Sequence, residues 1–421
     1  MSDPNDQVLP IPNLSLAQNL FTLSNPSLSR FHDAARTALL EGIKADEMGP
    51  WYRSLTGQPP KPKPAPVEEP QSAETPSQPS TSAPAPPSPV PSVAVLSLDA
   101  ALLEELETKN AAALEKLDER LKHAQETEGE SEISDALRGR ANYLTKIGDK
   151  DASEAQLLAF EKTPGLGSRI DIALTLVRIA FFWGNPGDIT KYLSKAETLI
   201  EEGGDWDRRN RLKVYRGLYM LSIRQFKSGG DLFIDALSTF TATELIGYND
   251  FVGMTVIAGV LGLSRVELKK KIIGSSEVTQ VLPEIPLLGE LVNSLYACHY
   301  DKFFVALAKL EQTHLLPSRI LAPHTRYYVR EMRILAYSQL LESYRSLTLE
   351  SLGGAFGVSV DFIDNEISRF IAAGRLHCTI DKVHGTVDTT RPLKKNAQYE
   401  TLVKQGDILL NEVQRLCKVL Y

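Results

Sequence analysis

Three side chains able to ligate metal or act as nucleophiles fall together in "RLHCTIDKVHG": His377, Cys378 and His384. Zinc sites draw on this set, but they need ligands that converge from one side. Leu376, Cys378 and Ile380 alternate with His377, Thr379 and Asp381, which reads as a strand with one buried face. His377 and Cys378 then point to opposite faces, so we expect a packed Cys378, a surface His377 and no metal site. "GLGSRI" at Gly165 resembles half of a dinucleotide fingerprint, yet it follows a helical pattern and not a strand, so no cofactor is expected there. H-E-x-x-H, the Walker A loop and G-x-S-x-G are absent from the sequence, and the expectation is a protein that is not an enzyme and takes no small-molecule ligand.

What remains is charge. Arg208, Arg209, Arg211, Lys213 and Arg216 follow directly on Glu201, Glu202, Asp205 and Asp207. One reading is a solvated helix face with local ion pairs, each worth little; the other is a docking strip for an acidic peptide or a neighbouring subunit. Mixed charge near a helix start favours the first.

Across 421 residues, 43% apolar and 24% charged content describes a globular chain long enough for two or more packed units. A net charge of -7 argues against general affinity for polyanions, whose binding depends on clustered Lys and Arg. The three cysteines, Cys298, Cys378 and Cys417, are widely spaced and suggest neither a disulfide framework nor a zinc knuckle. "MSDPNDQVLPIPNLSLAQNLF" lacks the basic start and unbroken apolar run of a secretory signal, and "FVGMTVIAGVLGL" is too short to span a bilayer. The expected protein is intracellular, soluble and not membrane-bound.

The elements fall into six stretches. Residues 1–57 read as a short helical segment. Residues 58–93 hold about half of all prolines and almost no large apolar residues, which predicts a disordered linker that splits this segment from the body. Residues 94–130 read as one long charged helix. From 131 to 323, helical patterns alternate with breaks near Gly148, Gly184 and Gly229, spaced as in helix-pair repeats and predicting a right-handed solenoid of the tetratricopeptide type. Within it "IDIALTLVRIAFFW" is apolar nearly all round and hence buried, and Asp188 is placed to cap "ITKYLSKAETLIEEGG".

Residues 324–392 predict a winged helix: a long helix, an extended piece at Ser346 to Thr348, a small helix, a second helix from Val360 to Ala373, and a hairpin closed at Gly385. The second helix carries Asp361, Asp364 and Glu366 against Arg369, a charge that phosphates repel, so no nucleic-acid partner is expected. A winged helix without that use offers strand edges and helix faces to proteins. Ser346, Thr348, Thr386 and Thr389 mark the expected open edge. From about Ala397 to the end, Tyr399, Leu402, Gly406, Leu409, Val413, Leu416 and Leu420 follow a 3,4 spacing, a heptad seam built to pack on other helices.

A helical-repeat body followed by a winged helix and a last helix resembles the PCI-domain family, found in the proteasome lid, the signalosome and a translation initiation factor complex. "EEGGDWDRRNRLKVYRGLY", "APHTRYYVREMRILAYSQLLESYRSLTL", "FIDNEISRFIAAGRLHCTIDKV" and "QGDILLNEVQRL" are similar to the lid branch and not to its signalosome paralogue. The resemblance covers residue 131 to the C-terminus, more weakly 14–51 and 98–130. It implies a mainly α, non-catalytic scaffold of the lid, in cytoplasm and nucleus, serving ubiquitin-dependent degradation. In this family six PCI winged helices join into a horseshoe and the C-terminal helices form one bundle. Implied partners are the other PCI subunits, the ATPase ring and a small acidic disordered lid subunit, for which Arg208, Arg209, Arg211 and Lys213 are a candidate surface.

Overall fold

The computed structural model describes residues 8–57, 96, 99–127, 129–390 and 394–420, so the expected Pro-rich linker 58–93 lies outside the described residues. The chain is mainly α and divides into two compact units, residues 1–262 with 316–323, and residues 263–315 with 324–421.

The first unit begins with α1 (Leu14–Ser24), α2 (His32–Ala45) and α3 (Gly49–Leu55). The long α4 (Ala100–Thr127) leads into α5 (Glu130–Ile147), α6 (Ala152–Lys162), α7 (Leu166–Trp183), α8 (Pro186–Gly203), α9 (Trp206–Ser222), α10 (Phe226–Ala236) and α11 (Tyr248–Gly262). From α4 to α11 each helix packs on the next, so successive pairs share one continuous core in the manner of helical repeats. α7 is the central member. Twelve of its 18 residues are buried, in agreement with its all-round apolar pattern.

Residues 14–55 stand apart in sequence but not in the fold. Leu16, Leu39, Ile43, Met48, Trp51 and Tyr52 form one core with Leu103 and Leu106 of α4 and Phe182 of α7. Trp51 and Phe182 have ring centroids 5.0 Å apart. Arg178, 1% exposed, donates from Nη1 to the Leu9 carbonyl at 2.8 Å and from Nη2 to Thr175 Oγ1 at 2.7 Å, which fastens the segment before α1 to α7. Gln18 of α1 holds residues 316–323 within the same unit: it donates to the Pro317 carbonyl and accepts from the Arg319 amide at 2.9 Å.

Two breaks expected at glycines are present and one is displaced. Gly148 and Gly184 end α5 and α7 in the left-handed conformation, at φ 70° and 76°. At Gly148 a Cβ would also lie 2.8 Å from Met48 Cε and 3.1 Å from Trp51 Cβ, so those side chains would have to shift to admit one. Gly229, by contrast, lies inside α10, where a Cβ would stand 3.0 Å from the Gly217 carbonyl of α9; it is a packing glycine, and the break falls at Ile223 to Gln225 with Arg224 at φ 70°. Asp188 is likewise not a cap. Asn185 occupies that position, Pro186 opens α8, and Asp188 sits in the first turn where the helix dipole favours an acid.

The second unit holds α12 (Arg265–Leu268), opened by a Ser264/Glu267 capping box, then α13 (Ser276–Val281), α14 (Pro286–Tyr296), α15 (Tyr300–Leu310) and α16 (Thr325–Ser343). There follow β1 (Ser346–Thr348), α17 (Leu349–Phe356), α18 (Val360–Ala372), β2 (Cys378–Asp381), β3 (Thr386–Thr389) and α19 (Lys394–Leu420). The last helix starts three residues earlier than its heptad pattern indicates. No helix of the described residues is long and apolar enough to cross a membrane.

Candidate subunit interface

The winged helix is positioned by an aromatic cluster beneath it. Tyr337 of α16 meets Phe356 of α17 and Phe370 of α18 at centroid distances of 4.6 and 6.2 Å, and Tyr300 of α15 meets Phe356 at 4.9 Å. Leu352, Ile363, Ile367, Leu376, Cys378 and Val387 close the core around them. Thr348 caps α17 by accepting from the Ser351 amide at 3.2 Å, so β1 passes into the small helix without a loop.

α18 does not present all its acids to solvent. Glu366 turns inward, accepting from the Tyr337 hydroxyl at 2.7 Å and from Arg333 at 2.6 Å. Burial, then this hydrogen bond, pushes the Tyr337 hydroxyl far above its ordinary value. Glu331, 7% exposed, pairs with Arg330 and with Arg375 at the end of the α18 turn. Asp364 pairs with Lys382 of the hairpin at 3.1 Å, while Asp361 and Arg369 remain exposed beside Phe362. His377 is exposed and Cys378 buried, and burial raises the Cys378 thiol. Among the described residues no group of three or more His, Cys, Asp or Glu is placed to hold a metal ion.

The strand order is β1-β3-β2, all antiparallel, and this corrects the expected edge. Thr386 pairs with Thr348 on one side and Asp381 on the other; Thr389 pairs with Cys378 and donates its amide to the Arg345 carbonyl at 2.8 Å. β3 is therefore the central strand, and Thr386 and Thr389 have no open backbone to offer. The edges are β1, with Ser346 and Thr348, and β2. The hairpin pattern alone marked β3 as the last strand, but only the register shows that β1 closes over it.

α19 is a long uncovered helix. Every described side chain on it is exposed, including Tyr399 (66%), Leu402, Leu409, Val413 and Leu416 of the heptad seam; the Leu420 side chain lies outside the described residues. Val403, Leu410 and Cys417, which the 3,4 spacing passes over, lie beside that seam and are also exposed. At 100° per residue the combined apolar arc is roughly 140° wide, broader than a two-stranded coiled-coil seam and suited to a helix contacted by more than one neighbour.

The basic strip on α9 separates into two kinds of residue. Arg208 makes a bidentate pair with Asp171 of α7 at 3.0 and 2.8 Å, and Arg216 pairs with Glu197 of α8. Arg211 lies 2.8 Å from Asp207 and 3.8 Å from Glu244, which also accepts from the buried Tyr215 hydroxyl at 3.1 Å. These arginines tie the helices of the unit together. Arg209 is exposed and Lys213 half-buried, and neither forms a salt bridge among the described residues. Arg209 shares the rim of an open cavity of about 600 Å³ with Gly167, Gly203, Gly204 and Trp206. Trp206 is 62% exposed, a large apolar surface that the sequence reading did not single out although it interrupts the charged run.

These three surfaces correspond to segments of known proteins. A family model described as 26S proteasome subunit RPN7 matches residues 99–271, a PCI domain model matches residues 302–391, and a model of the 26S proteasome regulatory subunit RPN7/PSMD6 C-terminal helix matches residues 398–419. Over 411 residues, 97% of each chain, the sequence is 41% identical to the 26S proteasome non-ATPase regulatory subunit 6 homolog of Arabidopsis thaliana. The chain belongs to the RPN7 family of 26S proteasome regulatory subunits. It is also 39% identical over 410 residues to the 26S proteasome regulatory subunit rpn7 of Schizosaccharomyces pombe, covering 96% of this chain and 95% of that one. With 26S proteasome regulatory subunit RPN7 of Saccharomyces cerevisiae the identity is 37% over 412 residues, covering 96% and 92%. The RPN7 match takes in α4 to α11 and the basic strip, the PCI match takes in the winged helix with both strand edges, and the third falls wholly on α19.

Proposed function

We propose that this chain is a non-catalytic scaffold subunit of the lid of the 26S proteasome regulatory particle, supporting lid assembly and hence ubiquitin-dependent degradation. The observation that carries this reading is α19: a helix of 27 residues, about 40 Å long, with a broad apolar arc and no described side chain covered by its own chain. Exposed apolar surface on that scale is a protein interface. In this reading Tyr399, Leu402, Leu409, Val413, Leu416 and Leu420 enter a bundle with the last helices of other PCI subunits. The winged helix joins its neighbours through the β1 edge at Ser346 and Thr348, the β2 edge and the exposed face of α18. Arg209 and Lys213, beside Trp206 and its cavity, are the part of the basic strip left for a small acidic disordered subunit, Arg208 and Arg211 being engaged within the fold. The winged helix and α19 together form the assembling half, 324–392 and 393–421, and 131–323 the arm, which also approaches the ATPase ring. Cytoplasm and nucleus follow from that role.

The relatives carry names of regulatory subunits, and that of Arabidopsis thaliana is named a non-ATPase subunit, which fits a part without catalysis of its own. An affinity-tagged full chain, purified from its own cells and analysed by native mass spectrometry, should bring down the lid subunits. Recovery of signalosome or initiation-factor subunits in their place would overturn the assignment.

A further inference from the structure

Phe160 of α6 is 3% exposed, yet two cations from other helices lie over its ring: Lys195 of α8, with Nζ 3.6 Å from the centroid, and Arg169 of α7, with Cζ 4.7 Å from it. Lys191, one turn before Lys195 on α8, adds a third positive charge that Lys195 feels. Among the described residues none of the three forms a salt bridge, and the Nε of Arg169 is out of reach of solvent with no acceptor. Glu161 is the carboxylate whose field opposes theirs at Lys195, and it makes no ion pair with them. Burial first, then Arg169 and Lys191, hold the Lys195 ammonium below its ordinary value.

The same helices handle other arginines differently. Arg208 is matched to Asp171 and Arg216 to Glu197, so α7 and α8 do supply carboxylates elsewhere. Around Phe160 they supply cations alone, and like charges held together oppose folding unless an anion joins them. The buried phenyl ring and the cation–π contacts fix two of the three cations in place, which makes the cluster preorganised.

We propose that Arg169, Lys191 and Lys195 form a phosphomonoester site, occupied by a phosphorylated serine or threonine of a partner segment. A phosphomonoester brings close to two negative charges and three acceptor oxygens to three cations that only the field of Glu161 opposes, whereas a carboxylate brings one charge and two oxygens. A neutral or basic segment has nothing to offer here.

The test is fluorescence anisotropy on the full chain with a labelled Gly/Ser decapeptide carrying one phosphoserine, its serine and glutamate counterparts, and inorganic phosphate as competitor. The phosphopeptide should bind at least about tenfold more tightly than either counterpart, with affinity falling as salt rises. The double variant Lys191→Gln, Lys195→Gln should lose about tenfold in that affinity while keeping the parent's helical circular dichroism spectrum. Equal binding of the glutamate peptide, displacement by inorganic phosphate at the peptide's own concentration, or no difference between variant and parent would each overturn the proposal.

Discussion

α7 and α19 are both long helices rich in apolar residues, and they end in opposite surroundings. On α7, 12 of 18 residues are buried, and its apolar residues run round the whole circumference because α6, α8, α9 and the N-terminal helices cover it. On α19 the apolar residues other than Ile408 gather on an arc, the opposite side carries most of the charge, and every described side chain is exposed. In the proposed role the difference is one of who supplies the cover. A helix covered by its own chain can be apolar on all sides, while one whose cover arrives from outside must keep a polar flank that water tolerates meanwhile.

The largest effect should come from removing residues 394–421. The truncated chain should melt at the same temperature as the parent and fail completely to enter the lid, as read by co-purification; normal incorporation would break the comparison. Next, Leu174→Ala in α7, where the side chain is 0% exposed, should cost about 2–5 kcal/mol in urea unfolding. Leu409→Ala in α19 should cost the free chain less than about 0.5 kcal/mol while weakening assembly, and a cost equal to that of Leu174→Ala would show that α19 is packed after all. Glu366→Gln, which removes the charge that Tyr337 and Arg333 share, should destabilise the second unit by about 1–3 kcal/mol in a thermal melt.

Alkaline pH sharpens the contrast without mutation. Burial raises the hydroxyls of Tyr215, Tyr328 and Tyr337 far above the unfolded value near 10, so the protonated form is the one the fold favours. Their contribution is fully present below about pH 10 and is lost as pH rises above it. The chain lacking α19 should show the same alkaline transition by circular dichroism, because none of these tyrosines lies on that helix. Thr348→Ala, which removes the α17 cap, should cost about 1 kcal/mol, read in the same thermal melt.

Much of this was legible in the residue pattern for a physical reason: period and burial are linked. The all-round apolar run predicted a buried α7, the 3,4 spacing predicted the face of α19, and the alternation at Leu376 to Ile380 predicted a buried Cys378 and an exposed His377. What failed was whatever depends on contacts between distant residues. Thr386 and Thr389 looked like an edge because nothing local reveals that Ser346 to Thr348 pairs with them. Arg208 and Arg211 looked available because Asp171 and Glu244 lie more than thirty residues away along the chain. The segment 14–55 looked separable because the Pro-rich stretch hides its packing on Phe182.

The central claim is that α19 is uncovered in the chain and covered by partners. Hydrogen exchange followed by mass spectrometry, on the free chain and on the assembled lid, measures this directly. The account predicts that peptides spanning 394–420 exchange quickly in the free chain and become strongly protected on assembly, while those of α7 are equally protected in both. Protection of 394–420 already present in the free chain, or still missing in the lid, would contradict it.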